Sequence, residues 1–142
     1  MEAPIIYTIG HSNKTGGEFV NKLLQNGIEV LVDVRTYPMS RYNPQFNQRE
    51  LQIALGNVGI NYEWRGKNLG GKGENEYFYE TIDQIVRLAE KKKVCVMCSE
   101  GDPAQCHRTT MLRPAILTAG GVVNDLLWKP SKPSKPKPAS LF

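Results

Sequence analysis

No stretch of the 142 residues is apolar for the ~20 positions that a membrane-crossing helix needs, which excludes a transmembrane helix. The opening MEAPIIYTIG has one acid and no lysine or arginine, so no secretory leader is expected. Cysteine is scarce: there are three, and an odd count argues against a framework built only of disulfides. Without a leader, the expected setting is reducing and cytoplasmic. Histidine is scarcer still, with two residues, so each one must be accounted for. There is no internal repeat. What is present, 40% apolar and 23% charged residues, is ordinary for a soluble domain. The length fits one domain that can bury a core without metals or disulfides.

The net charge of +4 is unevenly placed. Residues 129–142, KPSKPSKPKPASLF, hold Lys129, Lys132, Lys135 and Lys137 and no acid. Setting those four aside leaves fourteen basic residues against fourteen acids, so the body is neutral. The expected division is therefore a single α/β domain over 1–128 and a flexible Lys/Pro-rich tail over 129–142. The tail could act as an electrostatic arm for nucleic acid. The neutral body gives little support to a nucleic-acid-binding face of its own.

Along the body, strand and helix patterns alternate. Pro4–Gly10, Glu29–Val34, Ile60–Trp64, Val94–Cys98 and Val122–Trp128 read as strands. Gly17–Asn26, Asn47–Asn57 and Tyr77–Lys92 carry apolar residues at helical spacing. Asn47-x-x-Glu50 predicts a capping box. Asp102-Pro103 predicts a fourth helix start, and Pro114 should kink or restart that helix. The result is a three-layer, Rossmann-like α/β sandwich with a mainly parallel sheet of about five strands.

Polar residues gather at the predicted C-terminal ends of these strands: Gly10-His11-Ser12, Asp33-Val34-Arg35, Glu63 with Arg65, and Cys98-Ser99-Glu100. In a parallel sheet these ends share one edge, where ligands bind. Met97–Thr110, MCSEGDPAQCHRTT, is the densest stretch, with Cys98, Glu100, Asp102, Cys106, His107 and Arg108. Cys95 and Cys98 are three apart on a strand and should face opposite sides, Cys95 toward the core and Cys98 toward the site. Asp33, in an apolar strand, needs a partner, and Arg35 and Arg41 are nearby. The Thr36–Phe46 loop, stiffened by Pro38 and Pro44, suits a substrate wall. Leu69-Gly70-Gly71-Lys72-Gly73 reads as a flexible loop whose Lys72 could meet an anion.

Several specific loops are absent. GHSNKTGG is not a nucleoside-triphosphate loop: Gly10 and Gly16 are six apart and no Lys-Ser/Thr follows. Phosphatase and rhodanese-type loops close on an arginine shortly after their cysteine, and here that position, 104, is Ala. A zinc site would use Cys98, Cys106 and His107, with His11 as a further donor. Its spacing is irregular, and neighbours on a helix point about 100° apart. A Cys98–Cys106 disulfide fits sterically but is disfavoured in a reducing setting.

Tyr7-Thr8-Ile9-Gly10-His11-Ser12, Leu31-Val32-Asp33-Val34-Arg35 with Pro38 and Ser40-Arg41, Leu69-Gly70-Gly71, and Cys98-x-Glu100 followed by Cys106-His107-Arg108 together resemble the domain-of-unknown-function family 488. The resemblance runs over roughly residues 5–128. It implies that His11, Asp33, Arg35, Arg41, Cys98, Glu100, Cys106, His107 and Arg108 occupy motif positions, and implies no reaction.

The leading expectation is an enzyme acting on an anionic, phosphate- or nucleotide-like small molecule at the C-terminal edge of the sheet. Its acid/base and nucleophilic candidates are His11, Cys98, Glu100 and His107. Its ligand-binding candidates are Ser12, Asp33, Arg35, Arg41, Cys106 and Arg108. No cofactor is specified by the residues. The alternatives are a nucleic-acid-binding module using the basic tail and a zinc-binding protein using Cys98, Cys106 and His107.

Overall fold

The computed structural model describes residues 2–72 and 74–129. The expected tail lies outside the described residues from position 130 onward, as does Gly73 of the glycine-rich loop.

Five strands, β1 (Ile5–Gly10), β2 (Val30–Asp33), β3 (Asn61–Trp64), β4 (Val94–Cys98) and β5 (Val122–Asp125), form one sheet in the order β3-β2-β4-β1-β5. Every neighbouring pair is parallel. The three-layer α/β sandwich expected from the sequence is the one observed. On one face, α1 (Gly16–Gln25) and α2 (Gln48–Gly56) pack Phe19, Leu23, Leu51 and Leu55 onto Ile9, Leu31, Cys95 and Met97. On the other, α4 (Phe78–Ala89) and α5 (Arg113–Thr118) pack Ile82, Ile85, Val86 and Ile116 onto Ile6, Val32, Val96 and Cys98. Strand alternation separates the two cysteines of β4 as expected: Cys95 and Cys98 belong to opposite cores. A four-residue helix, α3 (Gly66–Leu69), follows β3.

The strand order places the site. The chain moves one way across the sheet from β1 to β2 to β3, then returns through β4 to β5. β2 and β4 are therefore neighbours whose outgoing connections leave in opposite directions. A crevice opens at their carboxyl ends, where open α/β sheets bind ligands.

Two local readings change. Asn47 does cap α2 by position, but its side-chain oxygen accepts from the Ser40 N–H at 2.7 Å, so no capping box forms there. The box is instead at α1: Thr15 Oγ1 accepts from Glu18 N–H at 3.0 Å, and Glu18 Oε1 accepts from Thr15 N–H at 2.9 Å. The Asp102-Pro103 signal starts only one 3-10 turn, Pro103–Gln105, after which Cys106 is extended (φ −127°, ψ 148°). The next helix begins at Arg108 as a widened π turn, Arg108–Leu112, in which Arg113 N–H bonds the Arg108 carbonyl. Pro114, which has no N–H to donate, lies where the π turn gives way to α5.

Candidate functional site

Two adjoining cavities of about 510 and 460 Å³ open at this edge. Arg35, Tyr37, Met39, Ser99 and Glu100 line both. Lys72, Cys98, Cys106 and His107 complete the first; His11, Ser12 and Gly101 belong to the second.

Arg35 is held between them by a buried frame. Asp33, fully buried at the end of β2, accepts from Arg35 Nε at 2.9 Å and Nη2 at 2.7 Å. The Tyr62 hydroxyl also donates to Asp33, at 2.6 Å, and burial together with that carboxylate pushes its pKa up. Arg35 Nη2 donates again to the Phe46 carbonyl at 2.7 Å. The sequence left Asp33 a choice of arginines, and Arg35 is its partner. With Nε and Nη2 so engaged, Nη1 is the edge of the guanidinium beside His11, 3.4 Å from Nε2.

His11 is only 2% exposed and stacks on Phe46, with ring centroids 4.4 Å apart. Its Nδ1–H donates to the Ser12 carbonyl at 2.7 Å, which leaves the Nε2 lone pair for Arg35. Burial, reinforced by Arg35, lowers the imidazole pKa to about 4. Unfolded, the same group titrates near 6.5. Between these values the unfolded chain binds a proton that the folded one refuses, so stability falls as pH drops through that window. His11→Gln should remove this slope, worth up to ~3 kcal/mol by pH ~4. Urea unfolding of both proteins at neutral and acid pH measures it; parallel losses would assign the titration to another group.

The turn after β4 has all its carbonyls drawn backward. Cys98 O accepts from His11 N–H at 3.0 Å, and Ser99 O accepts from Ser12 N–H at 2.8 Å. Glu100 O and Gly101 O accept from Arg108 Nη2 at 3.1 and 3.0 Å. In a trans peptide the N–H points opposite to the C=O. The amides of Ser99, Glu100 and Gly101 are therefore turned away from β1 and Arg108, in residues that line the cavities. Gly10 permits the arrangement, since a Cβ there would stand 1.7 Å from the Glu100 oxygen. Arg108 is 2% exposed and also donates to Thr8 Oγ1 at 3.4 Å, so its guanidinium faces the interior.

Cys98 and Cys106 bring their sulfurs to 2.7 Å. Both are free thiols, 3% and 8% exposed. The Arg108 N–H points at the Cys106 sulfur at 3.5 Å, and His107 Nδ1 lies 3.7 Å from it. His107 Nε2–H donates to the Leu69 carbonyl at 3.0 Å, so Nδ1 is the nitrogen turned to the sulfur, able to take its proton and then donate back to the thiolate. Gly71 packs against that imidazole; a Cβ there would meet the ring at 3.0 Å. The hydrogen bond shared with Cys98, then His107 and the Arg108 amide, pull the Cys106 pKa well below the ordinary thiol range. The same shared proton, together with burial, pushes Cys98 up. Adjacent Cys106 and His107 converge because Cys106 is extended and His107 only caps the following helix. The 100° divergence expected of two helical neighbours does not apply.

Of the residues singled out by sequence, His11, Ser12, Arg35, Cys98, Glu100, Cys106 and His107 meet at the two cavities, with Asp33 directly behind Arg35. Arg41 is exposed and lines neither cavity. Arg108 is behind the turn rather than in the cavities. Glu63 and Arg65 pair with each other at 3.3 Å on the surface. Tyr62, Phe46 and the Leu69 carbonyl orient Arg35, His11 and His107 but carry no chemistry that sequence could flag. Among the described residues, no group of three or more His, Cys, Asp and Glu side chains is placed to hold a metal ion.

No curated protein matches the chain. The family model described as "Domain of unknown function DUF488" matches residues 16–81 and 72–113, and with its motifs gathered at one edge of a parallel sheet the chain belongs to that family.

Proposed function

We propose that this protein is an enzyme acting on an anionic small molecule, with the Cys106 thiolate as nucleophile. The observation that carries this is the position of the Cys106 sulfur. It lines the larger cavity, faces His107 Nδ1 at 3.7 Å, and His107 is fixed by the Leu69 carbonyl. A nucleophile, a base within reach and a group orienting the base form the usual arrangement for covalent catalysis. His107 takes the thiol proton and returns it to a leaving group. Sequence favoured Cys98 for this part, but Cys98 is the more buried sulfur and holds its proton more tightly.

The anion end is supported by Arg35 Nη1, Lys72 and the outward amides of Ser99, Glu100 and Gly101. Successive amides facing one way form an anion-binding concavity. Arg35 is preorganised, since Asp33 and Phe46 O fix its plane before any ligand arrives. Glu100 is exposed on the rim of both cavities.

Alkylation by iodoacetate, an anionic electrophile, tests the reading. Cys106 should label at nearly the same rate at pH ~6 and ~8, because its thiolate persists below the ordinary thiol pKa of about 8.5. Inorganic sulfate should protect it. Labelling that climbs roughly tenfold per pH unit over that range, as an unperturbed thiol requires, would sink the reading.

A further inference from the structure

We infer that the substrate's electrophilic atom is sulfur, in a disulfide borne by an anionic small molecule, and that Cys98 resolves the adduct formed on Cys106. The inference rests on the nucleophile assigned above and names its substrate class.

The arrangement of the two thiols carries it. Cys98 comes from the end of β4 and Cys106 from the extended residue before the π turn, yet their sulfurs stand 2.7 Å apart. Cys98 is 3% exposed and borders the same cavity, so an adduct on Cys106 stays within its reach. Cys95, the other cysteine of β4, lies in the opposite core and takes no part. An acyl or phosphoryl adduct is discharged by water, and a thiol packed behind the nucleophile does nothing for that step. A sulfur adduct is discharged by a second thiol. The Cys98 S–H lies 3.5 Å from the Glu100 carbonyl, at the turn whose amides face the anion, so both halves of the site are built on one backbone segment.

The reaction balances without a cofactor. The Cys106 thiolate attacks one sulfur of RS–SR′; the Cys106–S–R bond forms and R′S⁻ leaves. The Cys98 sulfur then attacks Cys106 Sγ, the Cys98–Cys106 disulfide forms and RS⁻ leaves. His107 gives the proton it took from Cys106 to R′S⁻, and the Cys98 proton goes to RS⁻. Two electrons pass from the protein to the substrate, and an external small-molecule thiol returns them for the next cycle.

The test uses the reduced full-length chain and one equivalent of 5,5′-dithiobis(2-nitrobenzoate), a dianionic aromatic disulfide. Wild type should release two nitrothiobenzoate ions per chain, keep no adduct and lose two hydrogens in mass, with peptide mapping joining Cys98 to Cys106. Cys98→Ser should release one ion and retain the adduct on Cys106. Cys98→Ala repeats the measurement should the serine variant fold poorly. If wild type retains the adduct as these variants do, resolution by Cys98 is wrong while the Cys106 nucleophile stands. If no protein accepts the adduct at Cys106, the nucleophile itself is wrong.

Discussion

Asp33→Ala should cost about 3–5 kcal/mol of folding stability, the range for removing one partner of a buried ion pair. The carboxylate is completely buried and accepts four hydrogen bonds: three from Arg35, through its N–H at 3.1 Å, Nε at 2.9 Å and Nη2 at 2.7 Å, and one from the Tyr62 hydroxyl. Alanine leaves a guanidinium that is 6% exposed with no opposite charge beside it, and a phenol with no acceptor. The loss should lower the melting temperature by on the order of 10 °C in a domain of this size. Sulfate protection of Cys106 should vanish as well, because Arg35 loses the frame that aims Nη1. Glu63→Ala is the contrast. Its pair with Arg65 is 3.3 Å long and open to solvent, so it should change stability by less than ~0.5 kcal/mol. Calorimetry on both variants decides the point. Equal, small changes would mean that Arg35 reaches solvent when its partner is removed and that the site is softer than described.

Asp33 also shows what sequence can reveal. A carboxylate inside the apolar run Val30–Val34 demands a partner by charge alone, and two arginines stood within a few residues. The sheet was legible for a similar reason: β-branched runs separated by helical spacing leave few architectures. Cys95 and Cys98 could be assigned to opposite faces because strand alternation is a rule of short range. Sequence failed where a contact between distant residues overrides a local signal. Asp102-Pro103 is a sound helix start, and Asp102 Oδ1 does accept from Ala104 N–H at 3.0 Å. The helix stops after one turn because Cys106 is drawn to Cys98 and His107 to the Leu69 carbonyl, 38 residues away. No residue between 103 and 107 announces that break. Asn47 likewise gave its capping oxygen to Ser40, seven residues back, whereas Thr15-x-x-Glu18 was a capping box in plain view. Of the signals that point to the proposed nucleophile, only the Cys-His adjacency is local, and it misleads while 106 and 107 are taken as helical.

Arg108 is the second large effect. Beside Cys106 and His107 near a helix start, an arginine reads as an anion ligand, but here the guanidinium is 2% exposed and donates to two carbonyls of the β4 turn. Arg108→Ala should therefore lower stability by on the order of 3 kcal/mol. The void left by a large buried side chain and the loss of charge-assisted hydrogen bonds both contribute. Among the described residues its Nε has no partner, which makes the wild-type guanidinium less favourable than its contacts suggest. The void and the two released carbonyls outweigh that correction. With Glu100 O and Gly101 O set free, the peptides of residues 100–102 can rotate, and the outward amides lose their common direction. Sulfate protection of Cys106 should fall together with stability. Lys72→Ala separates the two effects: an exposed side chain at the cavity wall should leave the melting temperature within about 2 °C while weakening sulfate protection through the lost charge. Chemical denaturation and iodoacetate protection, measured on both variants, give four numbers. An Arg108→Ala protein of full stability that loses only sulfate protection would return Arg108 to the ligand, and the amide cradle would then have no rear support to explain.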